Sequence, residues 1–259
     1  VPIPRLAAGT AIIQELFSSI QGEALYCGER QIFVRVAHCH LNCHYCDTPM
    51  TTPEGHCLVE VDPGSNNWVN VPGLQRAEDT EMLIAGLQAK ALHHSVSLTG
   101  GEPLLYPSYV NSLFKRVQSL GLKTYLETSG TQPQALAKVL AHTDIVSMDV
   151  KLPSTTKQPA RFQQHADFYL TAKQASHVTL FIKCVVNNET TTEELQALNR
   201  FVTDRDTPIY LQPETDIRSE DGLKTLITPQ HLLMLHASLS EQFTHVRVIP
   251  QTHKMLNLT

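Results

Sequence analysis

The sequence predicts an α/β chain built on a mostly parallel sheet. Short β-branched runs alternate with longer segments of helical period. Several runs are apolar almost throughout, as in a parallel sheet covered on at least one face. Polar residues begin where the runs stop, as expected if a site lies beyond the carboxyl ends of the strands. Repeated strand–helix–strand units imply right-handed crossovers, hence a barrel, a partial barrel or an open doubly wound sheet.

Taken in order, the first run is QIFVRVA at 31–37, followed by His38-Cys39. Residues 51–75 carry TTPEGH, DPGSNN, the only Trp and a Pro-Gly pair, and read as an inserted excursion containing a small hairpin. A helix over 77–92 places Met82, Leu83, Leu87 and Leu92 on one stripe. The run at 95–98 leads into Thr99-Gly100-Gly101-Glu102, and helix 107–120 follows with Val110, Phe114, Val117 and Leu120. Runs at 123–127 and 144–150 end at Glu127-Thr128-Ser129 and Lys151. The runs at 177–186, 208–212 and 245–249 complete the set. Between them, Thr191 and Glu194 form a capping box for a helix near 190–204 that buries Leu195, Leu198 and Phe201. Thr228-Pro229 opens helix 229–242.

The 259 residues fit one domain, expected to be the whole of 1–259, with an apolar fraction of 42% that excludes a disordered chain. A net charge of −5 without any Lys/Arg run lacks the footprint of a nucleic-acid or anionic-membrane binder. No stretch approaches the length of a membrane span. The opening VPIPRLAAGTAII is too short and poorly flanked for a signal peptide, so a cytoplasmic location is expected.

Three of the six cysteines, Cys39, Cys43 and Cys46, fall within eight residues directly after the first run. That crowding is poor for disulfides and suits metal ligation. Three thiolates on one loop can hold three irons of a [4Fe–4S] cube and leave the fourth open, whereas a zinc knuckle would draw on Cys57 or on His38, His40, His44 or His56. Buried, idle thiols are the default for Cys27, Cys57 and Cys184.

The CxxxCxxC loop, with Tyr45 before its last cysteine, resembles that of the radical S-adenosylmethionine (SAM) superfamily. Thr99-Gly100-Gly101-Glu102-Pro103 is similar to the superfamily's GGE motif for the SAM amino group, in which the glycines let the backbone approach a ligand and the glutamate can support the turn or an ammonium. In order, each at a strand end, the two imply a partial (β/α) barrel, a [4Fe–4S] cluster whose open iron chelates SAM, and a protein reductant of flavodoxin or ferredoxin type.

Ser19-Ile20-Gln21-Gly22-Glu23, Arg35 four residues before Cys39, Cys46-Asp47-Thr48 and Pro250-Gln251-Thr252-His253-Lys254 narrow the resemblance to the 7-carboxy-7-deazaguanine synthases. It runs from about residue 14 to the last residue, with 51–75 unmatched. It implies a homodimeric lyase of queuosine or 7-deazapurine biosynthesis that contracts the ring of 6-carboxy-5,6,7,8-tetrahydropterin with loss of ammonia. Ile20, Gln21, Gly22, Glu23 and Thr99 would then contact the pterin, and Arg35 its carboxylate. His253 and the terminal carboxylate of Thr259 would close the pocket. Thr48 would ligate Mg2+, leaving Asp47 as a cap. Tyr45, Gly100, Gly101, Glu102, Glu127, Ser129, Asp149, Val150, Lys151, Gln212 and Pro213 would serve SAM. The chain departs from the family pattern at His38-Cys39-His40, at Ala24 and at Asp149-Val150-Lys151. An activase or peptide-modifying radical SAM enzyme is the nearest rival, and a structural zinc module the more distant one.

Overall fold

The computed structural model describes residues 6–48, 55–216 and 224–258. Its first strands are β1 (Thr10–Ile20), β2 (Arg30–Val36), β3 (His56–Glu60), β4 (Trp68–Pro72) and β5 (Leu74–Arg76). Helix α1 (Ala77–Gln88), β6 (Ser95–Gly100), α2 (Pro107–Ser119), β7 (Lys123–Thr128), α3 (Pro133–Ala137) and β8 (Ile145–Asp149) follow. Then come α4 (Pro153–Thr156), α5 (Phe162–Lys173), β9 (Thr179–Val186), α6 (Thr192–Gln196) and β10 (Ile209–Pro213). The chain continues through α7 (Pro229–Ser240), β11 (Val246–Val248) and α8 (Thr252–Met255).

All strands join one sheet in the order β11-β10-β9-β8-β7-β6-β2-β1-β3-β4, with β5 beside β1. From β2 through β6 to β11 every pairing is parallel. These are the seven runs expected from the sequence. The order does not return on itself, so the sheet is an open, partial barrel. Among the described residues no helix is long and apolar enough to cross a membrane.

The strands absent from the sequence expectation are the short β5 and, more consequentially, β1, antiparallel to β2. A register shift between Ile13 and Glu15 breaks its alternation, so its period is hard to read. Phe17 stacks on its partner Phe33 at 5.3 Å, and Glu15 pairs with Arg35 directly opposite. The excursion does hold a hairpin, β3 against β4, and β3 extends the sheet beside β1; its residues 51–54 lie outside the described set.

Helix α1 corrects part of the expected stripe. Leu87 is buried and Leu83 half-buried as expected, but Met82 is 66% exposed, the helix stops at Gln88 so that Leu92 lies beyond it, and Thr80 and Ile84 face inward instead. The hydroxyl of Thr80 meets that of Tyr109 on α2 at 2.7 Å, and Glu78 and Glu81 pair with Arg116 of α2. Those contacts decide which face turns in. In α2, Val110, Phe114 and Val117 are buried as expected. Of the α6 capping box, Thr191 accepts from the Glu194 N–H, but the Glu194 carboxylate takes the Ser154 N–H instead.

Strand parity divides the molecule. Leu126, Val146, Met148, Ile182, Cys184 and Leu211 point to the helical side and form the main core. On the opposite face Tyr125, Ile145, Phe181 and Tyr210 form an aromatic floor with Ala24, Leu25 and Tyr26. Two residues further along the same strands stand Glu127, Ser147, Lys183 and Gln212, and they line a cavity above that floor.

Candidate active site

The cavity holds about 390 Å³ and opens at the carboxyl ends of β2 and β6–β10. Ile20, Gln21, Gly22, Glu23, Arg35, Thr99 and His253 line it, as do Tyr45, Gly100, Gly101, Glu127, Ser129, Asp149, Lys151, Gln212, Cys39, Cys43, Cys46 and Thr48. Thr259 lies outside the described residues.

One end is the cysteine loop. His38 adopts φ +68°, a left-handed turn, and its Nδ1 meets the Tyr106 hydroxyl at 2.9 Å. His40 Nε2 meets Thr131 at 2.8 Å. Two of the four histidines near the thiols are thus pins for the loop. Gly101 packs against it so closely that a Cβ there would stand 1.8 Å from the His38 carbonyl oxygen. Gly100 has φ +106°, and its Cβ would meet Arg35 and the Val36 backbone.

All six cysteines are free thiols. Burial pushes Cys39 up to about 11 and raises Cys43 as well, so thiolates there require a cation to stabilise them. Among the described residues no three Cys, His, Asp or Glu side chains converge on one ion, as a zinc site demands. A cubane takes each thiolate on its own iron, and the donor set fits that cofactor. The Asp149 Oδ1 and Gln212 Oε1 atoms are buried without a partner in the chain, and both residues border the same space. Such orphaned acceptors suit the ribose hydroxyls of a nucleoside.

Glu102 takes the first of its two expected roles, support of the turn, and does not stand among the cavity residues expected to serve SAM. It is fully buried. Its carboxylate accepts from Thr128 Oγ1 at 2.7 Å, Ser129 N–H at 2.9 Å, Ser129 Oγ at 2.5 Å and Leu104 N–H at 3.1 Å. It clips the GGE turn to the end of β7. Val150 and Pro213 also lie behind the wall: Val150 is buried in the main core, its N–H given to Lys183 O, and Pro213 is paired in register with Val186. Among the described residues Asp47 caps no helix; it pairs with Lys254 at 2.5 Å, tying the cysteine loop to α8. Burial pushes the Asp47 carboxyl up, but Lys254 outweighs it and holds it below the ordinary value.

The other end centres on Glu23. Its Oε2 pairs with Lys183 at 2.5 Å, and its Oε1 accepts from Gln251 at 2.9 Å and Gln212 at 3.3 Å. Gln21 accepts the Glu23 N–H and donates to Glu127 at 2.8 Å, and Thr99 donates to the other Glu127 oxygen at 2.6 Å. A Cβ at Gly22 would stand 2.1 Å from His253 Nδ1, so the glycine admits the histidine to the site. Arg35 gives its Nε to Glu15 at 2.8 Å and lies over the Phe17 ring.

Between the ends, Lys151 pairs with Asp149 at 2.8 Å and donates to the Tyr45 hydroxyl at 2.9 Å. Burial alone would neutralise Glu23 and Asp149, yet their lysines hold both below the ordinary carboxylate values. Burial likewise opposes the charge on Lys151 and Lys183, and the flanking carboxylates raise both above the usual lysine value.

The sequence reading missed Lys183 and His165, and it quoted Gln251 and Lys254 in the terminal motif without giving them a role. A lysine inside the apolar run LFIKCVV was a signal for the first. His165 accepts the Lys151 N–H at Nε2 and meets the Gly130 carbonyl through Nδ1, bracing two cavity loops. Burial pulls it down to about 4, so it is neutral at physiological pH.

Residues 34–200 match the Radical SAM superfamily. The 7-carboxy-7-deazaguanine synthase of Geobacter sulfurreducens is 36% identical over 250 residues, covering 95% of this chain and 97% of the relative. That of Methanopyrus kandleri is 32% identical over 252 residues, covering 95% and 93%. Among solved structures, QueE from Escherichia coli superposes with a TM-score of 0.57 at 20% identity, covering 93% of this chain and 94% of that one. TYW1 with a lysine-pyruvate adduct bound gives 0.54 at 15% identity, covering 82% and 74%; both structural likenesses speak for the fold. With its thiol loop, its GGE turn and its Glu23 cradle in one cavity, the chain belongs to the 7-carboxy-7-deazaguanine synthase family of the radical SAM superfamily.

Proposed function

We propose that the whole chain acts as one domain and converts 6-carboxy-5,6,7,8-tetrahydropterin to 7-carboxy-7-deazaguanine and ammonia. One observation carries the reading: Glu23, paired with Lys183 and Gln251, faces the same cavity as three free thiols. An amino-pyrimidinone edge offers adjacent donors, and a fixed carboxylate accepts both once the Gln212 amide, 3.3 Å away, gives up its place on Oε1. Gln21 orders that carboxylate by accepting the Glu23 N–H. Glu15 occupies Arg35 Nε, and the terminal nitrogens of the guanidinium serve the substrate carboxylate. His253, beside Gly22, closes the ring's flank.

Cys39, Cys43 and Cys46 would hold the cluster, which, once reduced by one electron from a partner protein and with SAM bound, would supply the radical chemistry that removes the substrate's C6 hydrogen. Asp149 and Gln212 receive the SAM ribose hydroxyls at their orphaned acceptors. Thr48 is the proposed Mg2+ ligand, a hard oxygen donor beside the substrate's carboxylate end. The aromatic floor of Tyr26, Tyr125, Phe181 and Tyr210 closes the base of the cavity to water. A flavodoxin- or ferredoxin-type protein is the proposed electron source, and a homodimer the proposed assembly.

The test is anaerobic reconstitution with SAM, dithionite, Mg2+ and the pterin, followed by mass spectrometry. A product lighter than substrate by one ammonia is expected. SAM cleavage without that product would retain the superfamily chemistry and discard the substrate.

A further inference from the structure

We propose that Lys183 is a positioning residue for the substrate: braced by Asp149, it holds the Glu23 carboxylate charged and facing the ring's donor edge. The proposal rests on the reading of Glu23 as the pterin ligand. Lys183 stands on the inward row of β9, between Phe181 in the floor and Val185 in the wall. Its Nζ lies 2.5 Å from Glu23 Oε2 and 3.4 Å from Asp149 Oδ2, and the three side chains are 13%, 16% and 12% exposed. Asp149 is its cross-strand partner in register. A lysine this buried keeps its proton only if anions compensate it, and here two do. Asp149 is shared with Lys151, so the ladder Glu23–Lys183–Asp149–Lys151 balances two anions with two cations.

The chemistry of recognition depends on that charge. A carboxylate accepts two hydrogen bonds from the ring, whereas a protonated carboxyl turns a donor toward donors. Without Lys183, burial is the dominant influence on Glu23 and favours the protonated form. The charged and titratable groups around the pair are Tyr125 and Glu127 on β7, Asp149 and Lys151 at β8, and His253 on α8. Glu23→Gln separates the Glu23 contribution from theirs.

The experiment is calorimetric titration of 6-carboxytetrahydropterin into reconstituted enzyme holding SAM, without reductant, from acid to mildly alkaline pH. Lys183→Met is expected to weaken binding roughly ten- to a hundredfold at neutral and acid pH, the usual worth of a charged hydrogen bond, and to recover as pH rises. Lys183→Arg should stay close to wild type. Glu23→Gln should be weak at every pH, and adding Lys183→Met to it should cost nothing more. If Lys183→Met does not fold, Lys183→Gln should show the same pH-dependent weakening. Unchanged binding, weakening equal at all pH values, or additivity with Glu23→Gln would overturn the proposal alone. Wild-type enzyme that binds SAM but no pterin would overturn the substrate reading together with the proposal.

Discussion

The Glu102→Gln substitution separates a structural clip from a direct SAM contact. Each carboxylate oxygen serves one backbone N–H, Leu104 at 3.1 Å and Ser129 at 2.9 Å, plus one hydroxyl. The hydroxyls can rotate, but the backbone donors cannot. Glutamine keeps one oxygen, so one buried N–H faces an NH2 group and loses its acceptor. That costs about 1–3 kcal/mol, with most groups around the site fully enclosed. For a chain of this size it converts to a fall in Tm of roughly 2–12 °C, read by circular dichroism on the metal-free protein. The folded variant should retain most of its SAM affinity, because Glu102 does not line the cavity. An unchanged Tm with SAM binding abolished would refute the reasoning and make Glu102 an ammonium ligand.

Gly101→Ala forces a Cβ to 1.8 Å from the His38 carbonyl, an overlap worth about 3 kcal/mol or more, so the loop must shift. The protein should fold yet take up little iron on reconstitution, and full iron content would contradict this. Gly22→Ala drives a Cβ onto His253, so α8 should detach and residues 252–258 exchange their amide hydrogens faster; wild-type exchange there would count against it. His165 carries a pH dependence. Its folded value is depressed from 6.5 to about 4, so the unfolded chain binds more protons across that window and stability falls as pH drops through it. The loss reaches about 3 kcal/mol, and His165→Gln should flatten Tm against pH between those limits.

The cysteine loop was legible because its ligands are sequence neighbours and its polar break follows an apolar run. The strand ends were legible for the same reason, and Thr99 to Gly101, Glu127, Ser129, Asp149 and Lys151 all reached the cavity. Distance along the chain limits the rest. Nothing near Asp47 announces that its partner is Lys254, 207 residues later. Glu102 was placed in the cavity because the motif is contiguous, yet the turn that exposes Gly100 and Gly101 sends the next side chain the other way. Parity separates Lys183 from Cys184: one faces the cavity, the next the core. A sequence shows that alternation, but which row is inward depends on the floor beneath it. The same choice of face misplaced Met82 in the α1 stripe, where Tyr109 and Arg116 of α2 decide the outcome.

The two ends of the cavity draw on different lengths of the chain. The thiol loop is pinned by Tyr106 and Thr131, contacts that span 68 and 91 residues. The Glu23 cradle closes on Lys183, Gln212 and Gln251, which follow it by 160, 189 and 228 residues. A single domain folds as a unit, and Asp47 ties the thiol loop to Lys254 as well, so both ends of the pocket are completed together when the last helix docks.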